Sequence, residues 1–172
     1  MSQFETQLAI GREYERKAAQ WLQESRSARI LPVYDYTGSE GEKAPKLRSL
    51  VASESLVVPD LLICASGSTS WVEVKYKSKA SLHVNTATYE TGLPLRLWLN
   101  YKHVQEVSGL PVEIIFIHRK ECEIRGAMWN DLKPISRVYH GNAMSPGGMV
   151  FFPYYKIPLL ASLDGVDVDD AA

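Results

Sequence analysis

Residues 71–77, Trp-Val-Glu-Val-Lys-Tyr-Lys, constrain the fold more than any other stretch of this chain. In an extended strand successive side chains point to opposite faces. Trp71, Glu73, Lys75 and Lys77 therefore share one side, and Val72, Val74 and Tyr76 share the other. The valines suit a core. A Glu and a Lys near the middle of a strand that is otherwise built for burial need partners. Upstream, residues 56–65 (LVVPDLLICA) are also rich in strand formers, and Ser66-Gly67 between the two segments is a turn signal. The pair reads as a β-hairpin. A tight turn at Ser66-Gly67 sets Asp60 opposite Glu73 on the same face.

Two facing carboxylates repel one another and raise a carboxyl pKa. A divalent cation removes the conflict, and carboxylates with water are the ligands that Mg²⁺ prefers. Asp60 and Glu73 are thus candidate metal ligands, and the Val74 backbone carbonyl adds a further oxygen. Beside them Lys75 could orient or deprotonate an attacking water, or stabilise a pentacovalent phosphate. A third acid comes from the N-terminus. Over residues 4–24, Phe4, Leu8, Gly11, Glu15, Ala18 and Leu22 recur at spacings of three or four and define one helix face. Glu15 lies on that inward face and could bind the metal or its water shell. Glu13, about 200° away, faces water. Together these residues suit a phosphodiester hydrolase. The plainer alternative is that Asp60 only starts a strand and Glu73-x-Lys75 is a surface pair on a half-exposed sheet.

The rest of the chain supplies an α/β frame. Residues 29–36 read as a first strand, with Pro32 pointing to an edge or bulged position. Residues 37–54 lack any period and read as a long surface loop. Residues 93–108 have helical spacing and stop at Gly109. Residues 111–118 form a buried strand and residues 121–129 another. The aromatic stretch GGMVFFPYY covers the sheet edge or makes a dimer interface, and residues 161–172 form an acidic tail expected to be disordered. One domain over residues 1–160 is expected, in the order α-β-β-β-α-β, with a mixed sheet.

No apolar run reaches the length needed to span a bilayer, and the N-terminus lacks a signal-peptide pattern, so a cytoplasmic protein without membrane contact is the expectation. Cys64, inside the apolar run LLIC, reads as a buried reduced thiol. The four histidines have no zinc-ligand spacing. Net charge is −1 overall, but residues 75–140 carry ten Lys/Arg against six Asp/Glu. That excess is either a basic face for nucleic acid or an ordinary solvated surface. Lys77 and Lys79 follow the key strand and could meet phosphates. Arg96 and His103 share a helix face with Lys102 one position off it, for phosphate contact or simple solvation. Tyr89 could stack on a base, whereas Trp98 has core-like spacing from Tyr101.

The residues VVPDLLI…WVEVKYK resemble the active-site hairpin of the PD-(D/E)xK nuclease superfamily. GREYERKAAQWL is similar to the Gly…Glu-x-x-Ala-Ala-x-aromatic-Leu helix of its resolvase-like members, and LWLNYKHVQEVSGLPVEIIFIH to their later helix and fourth strand. The resemblance covers residues 5–118. It implies a restriction-endonuclease-like fold, a mixed central sheet flanked by helices, and Mg²⁺- or Mn²⁺-dependent cleavage of DNA, double-stranded or branched. Glu15, Asp60, Glu73 and Lys75 fall on the family's acidic-helix, PD, (D/E) and K positions. A homodimer would suit symmetric cutting of two strands. The alternative is a catalytically inactive nuclease-like module that binds nucleic acid or protein. The intact acidic pair with Lys75 favours the enzyme.

Overall fold

The computed structural model describes residues 3–33, 46–48, 55–141 and 147–163. Its frame is a six-stranded sheet in the order β1-β4-β5-β8-β9-β12, formed by Arg29–Pro32, Leu61–Ala65, Ser68–Lys77, Val112–His118, Glu123–Met128 and Leu159–Ser162. The β5–β8 pair is parallel and the other pairings are antiparallel. Pro32 sits in the edge strand β1, as its missing N–H requires.

Helix α1 (Gln3–Arg26) packs on one face of this sheet. Tyr14, Ala18 and Leu22, spaced four apart, bury against Val72, Val74, Ile115 and Ile117. Ala18 and Leu22 belong to the expected stripe, while Tyr14 replaces Glu15 as its next member. Glu13 is exposed and pairs with Lys17 one turn later. Arg26 anchors the end of the helix through two bonds to the buried Glu113 carboxylate on β8, at 2.6 and 2.8 Å.

The other face is covered by α2 (Leu95–Ser108), by α3 (Trp129–Leu132) and by a second sheet. Trp98, Tyr101 and Val104 of α2 are buried, and Trp98 stacks on Trp129 at 4.5 Å, so Trp98 is a core residue as expected. The helix stops at Gly109, whose φ of 69° few other residues adopt comfortably. The second sheet, in the order β10-β11-β7-β6, joins Arg137–Tyr139, Met149–Pro153, Thr88–Pro94 and Ser81–His83. Its inner residues Leu93, Val150 and Phe152 enter the same core as Trp71 and Phe116.

Several expectations change here. The α-β-β-β-α-β order captures α1, β1, β4, β5, α2 and β8, but it omits the second sheet. That sheet is closed by pairing β7 with the aromatic stretch around Phe151, far away in sequence. The aromatic stretch thus becomes an internal strand of that sheet. The edge of the main sheet is covered instead by β12, which reaches Ser162 and so carries the fold two residues past the expected boundary at 160. Residues 46–48 within the expected loop form a short strand, β2, paired with β3 (Ser55–Val57); the rest of 37–54, and the acidic tail beyond 163, lie outside the described residues. Cys64 is exposed, not buried. Alternation places it with Leu62 on the face opposite Leu61 and Ile63, close to the tip of the hairpin. Among the described residues no helix is long and apolar enough to cross a membrane.

Candidate active site

The hairpin forms as its turn chemistry dictates. Ser66 and Gly67 both take positive φ, 49° and 79°, giving a two-residue loop between the paired residues Ala65 and Ser68. The register that follows pairs Leu61 with Val72. One step further along, Asp60 faces Glu73. Pro59 precedes Asp60, and β4 begins only at Leu61, so beyond Val72 the strand β5 has no ladder partner on that side.

Asp60 fills the gap. Its Oδ2 accepts the Val74 N–H at 2.8 Å, while its own carbonyl accepts the Val33 N–H at 3.0 Å. In a strand the N–H and C=O of one residue point the same way in the sheet plane. The neighbours Trp71 and Lys77 bond to the β8 side, through Pro111 and Arg119. Val74 therefore turns its carbonyl toward Asp60, at the open edge where a ligand oxygen is wanted.

Asp60 is 7% exposed and Glu73 2% exposed. Lys75 makes an ion pair with the Glu73 carboxylate. Burial raises the Asp60 pKa well above the ordinary carboxylate value, and Glu73 pushes it the same way; Lys75 opposes both. Glu15 is raised as well, first by burial and then by Glu73, with Lys75 again opposing. Burial would lower the pKa of Lys75, but Glu73 and Asp60 overcome it and hold the side chain as an ammonium ion. The structure therefore gathers Glu15 from α1, Asp60 from just before β4, and Glu73 and Lys75 from β5 into a single electrostatic unit.

Three carboxylates facing one lysine leave a formal deficit of positive charge. The donor set fits a hard cation: buried carboxylate oxygens at an open strand edge, with a main-chain carbonyl aimed at the same place. Among the described residues no group of three or more His, Cys, Asp or Glu side chains is placed to hold a metal ion. The protein's share would be Asp60, Glu73 and the Val74 carbonyl, leaving the remaining positions to water.

The other expected residues lie apart. Lys77 continues the Lys75 face, in register with His118, and burial with the nearby Lys75 lowers its pKa. Lys79 is exposed beyond the end of β5 and lines a cavity of about 610 Å³. Arg96 and Lys102 stand exposed on α2, and Lys102 pairs with Glu106 at 3.3 Å. Neither acts on Asp60, Glu15 or Lys75. The sequence reading missed the Arg26–Glu113 clamp, which fixes the helix that presents Glu15. An acid within the apolar strand PVEIIFIH was the available signal.

No protein-family model and no curated protein matches the chain. Among solved structures it is similar to Hjc, a Holliday junction resolvase from the archaeal hyperthermophile Archaeoglobus fulgidus, with a TM-score of 0.53 and 11% identity over 86% of this chain and 92% of that one. It also matches D212, a nuclease from a fusellovirus, with a TM-score of 0.47 and 14% identity over 88% of this chain and 86% of that one. What the likeness to Hjc shows is the fold: a mixed central sheet flanked by helices, here with an acid-lysine strand near its centre.

Proposed function

We propose that this protein is a metal-dependent endonuclease that hydrolyses DNA phosphodiester bonds. The observation that carries the reading is the cluster of Glu15, Asp60 and Glu73 around Lys75, an excess of buried negative charge beside the outward-turned Val74 carbonyl. Asp60, Glu73 and that carbonyl would hold Mg²⁺ or Mn²⁺. When bound, the cation supplies a Lewis acid at a phosphoryl oxygen and balances the carboxylates.

Lys75 donates from its ammonium to a non-bridging phosphoryl oxygen, where charge grows in the transition state. Glu15 positions a water through its carboxylate, from the middle of a helix whose C-terminal end is locked to the sheet by Arg26. Lys77, on the same strand face, meets the phosphate beside the scissile one, and Lys79, Arg96 and Lys102 extend the contact to the flanking backbone. Duplex or branched DNA is the partner. A homodimer is the assembly that would present two such sites to two strands.

Plasmid, linear duplex and a four-way junction, the last included because Hjc is a Holliday junction resolvase, are incubated with Mg²⁺ or Mn²⁺. Cleavage by the wild type that disappears in Asp60→Ala and in Lys75→Ala supports the reading. Cleavage that persists unchanged in both variants overturns it. DNA binding by a wild type that never cuts would instead identify an inactive nuclease-like binding module.

A further inference from the structure

The 610 Å³ cavity lies beyond the far end of β5, separate from the acidic cluster. Its walls come from four places: Lys79 after β5, Leu82 and Tyr89 from the second sheet, Lys120 and Glu121 from the segment before β9, and Tyr155 from the turn before β12. Lys79 is four residues from Lys75, so its Cα lies within about 14 Å of the lysine of the cluster. A strand leaving the cluster along Lys77 would arrive here.

The chemistry of the walls divides by type. Lys79 and Lys120 are exposed and form no ion pair among the described residues, so both ammonium groups remain available to an anion. Two aromatic rings face solvent, Tyr155 at 72% exposure and Tyr89 at 46%. The Tyr155 ring does not stand alone. Tyr154 meets it edge-on at 5.0 Å, and the Arg125 guanidinium lies 4.6 Å from one ring centre and 5.5 Å from the other. Arg125 is itself tied to Glu123 and to the Ile157 carbonyl. An exposed ring braced in this way is pre-organised for stacking.

Glu121 adds polarity. Its Oε1 accepts the Ala80 N–H at 3.1 Å, but its Oε2 is buried with no hydrogen-bond partner. A carboxylate with unused acceptor capacity repels phosphate and attracts an amine, such as the exocyclic amine of a base. Phosphate therefore belongs with the lysines, and a base with Tyr155, Tyr89 and Glu121. A stacked duplex cannot offer a base face to a ring, and a cavity of this volume accommodates a nucleotide rather than a helix.

We propose that this cavity is a subsite for one unpaired nucleotide of the DNA strand that leaves the acidic cluster, with its base on Tyr155 and its phosphate at Lys79 and Lys120. The inference rests on the nuclease reading for its strand, and it deepens that reading by making single-stranded extensions part of the substrate.

Binding is measured by fluorescence anisotropy in EDTA, so that no cleavage occurs, using a blunt duplex and the same duplex with a short single-stranded overhang. The expected result is tighter binding of the overhang by the wild type, by about tenfold for one stacked base. Tyr155→Ala removes that preference and leaves blunt-duplex affinity unchanged, Tyr155→Phe keeps it, and Lys120→Ala weakens the overhang alone. A wild type with no overhang preference overturns the proposal, as does a Tyr155→Ala variant that retains it or loses affinity for both DNAs equally. Competition by dCMP or dTMP at the same concentration as the overhang would identify a free-nucleotide site and overturn the strand assignment. Because binding is read without metal, these outcomes stand whether or not the protein cuts. Loss of the subsite with cleavage intact would leave the catalytic reading untouched.

Discussion

Two regions of this molecule treat their acids in opposite ways. Away from the cluster, acids at three positions each have an arginine of their own: Glu113 with Arg26, Glu90 with Arg137, and Glu123 with Arg125. In the cluster, Glu15, Asp60 and Glu73 all act on Lys75, and Arg12 adds only a smaller effect on Glu15. The fold plainly can neutralise its acids one by one, and beside β5 it does not. Clusters of buried acids that share charge in this way are where function concentrates. The contrast is therefore a charge argument for a bound cation and an anionic substrate, independent of any resemblance.

The strongest challenge to this contrast is Glu73→Gln, which keeps the shape but removes the lysine's counter-charge. Cleavage should fall by about 100-fold or more, the loss typical of removing one group that acts on the transition state. An active variant with an unchanged circular dichroism spectrum would show that the imbalance has no catalytic meaning.

His118 sharpens the comparison, since it is a fully buried titratable group outside the cluster that makes no ion pair among the described residues. Its Nε2 meets Thr91 Oγ1 at 3.0 Å and its Nδ1 has no partner. Burial holds its pKa down to about 4; Glu121 and Glu123 oppose that shift, while Lys77 and Arg125 add to it. Above pH 6.5 the ring is neutral in both folded and unfolded chains. Between pH 6.5 and pH 4 the unfolded chain takes up a proton that the folded chain refuses, so stability falls as pH falls, by about 3 kcal/mol in all. Urea melts at pH 7 and pH 4.5 should therefore differ less for His118→Gln than for the wild type. Identical pH dependence would mean that the ring is not buried neutral.

Glu113→Ala tests the paired side. It strands Arg26 on α1, and because that guanidinium is partly exposed the cost should sit near or below the lower end for a broken buried pair, about 2–3 kcal/mol. Thermal denaturation reads the loss. A cost near zero would remove the clamp from the account of how Glu15 is positioned.

The smallest expected effect has the opposite sign. Asp60→Asn keeps an acceptor for the Val74 N–H but removes one buried negative charge, so without divalent metal it should stabilise the fold by about 1 kcal/mol. Mg²⁺ or Mn²⁺ should raise the melting temperature of the wild type and not of this variant. A metal-induced shift of equal size in both would place the cation elsewhere.

Much of the site was legible from short-range pattern. Alternation along 71–77 sorted Glu73 and Lys75 from the valines, and Ser66-Gly67 set the register that faces Asp60 toward Glu73. The inward side of α1 followed from its spacing, although Tyr14, not Glu15, fills the core there. Cys64 was misread because an apolar run does not tell which of its two faces is covered near a hairpin tip. Arg26 and Glu113 are 87 residues apart, and nothing local joins them.

The sequence by itself determined the hairpin, the two long helices, the core strand β8 and the four residues of the acidic cluster, because each depends on alternation, helical spacing or turn residues within a few positions. Only the tertiary structure decided that β7 would pair with the distant aromatic strand, that Arg26 would lock α1 across the sheet, and that Lys79, Lys120 and Tyr155 would share one cavity. Those pairings depend on which surfaces meet once the core has closed, and a local pattern carries no record of its distant partner.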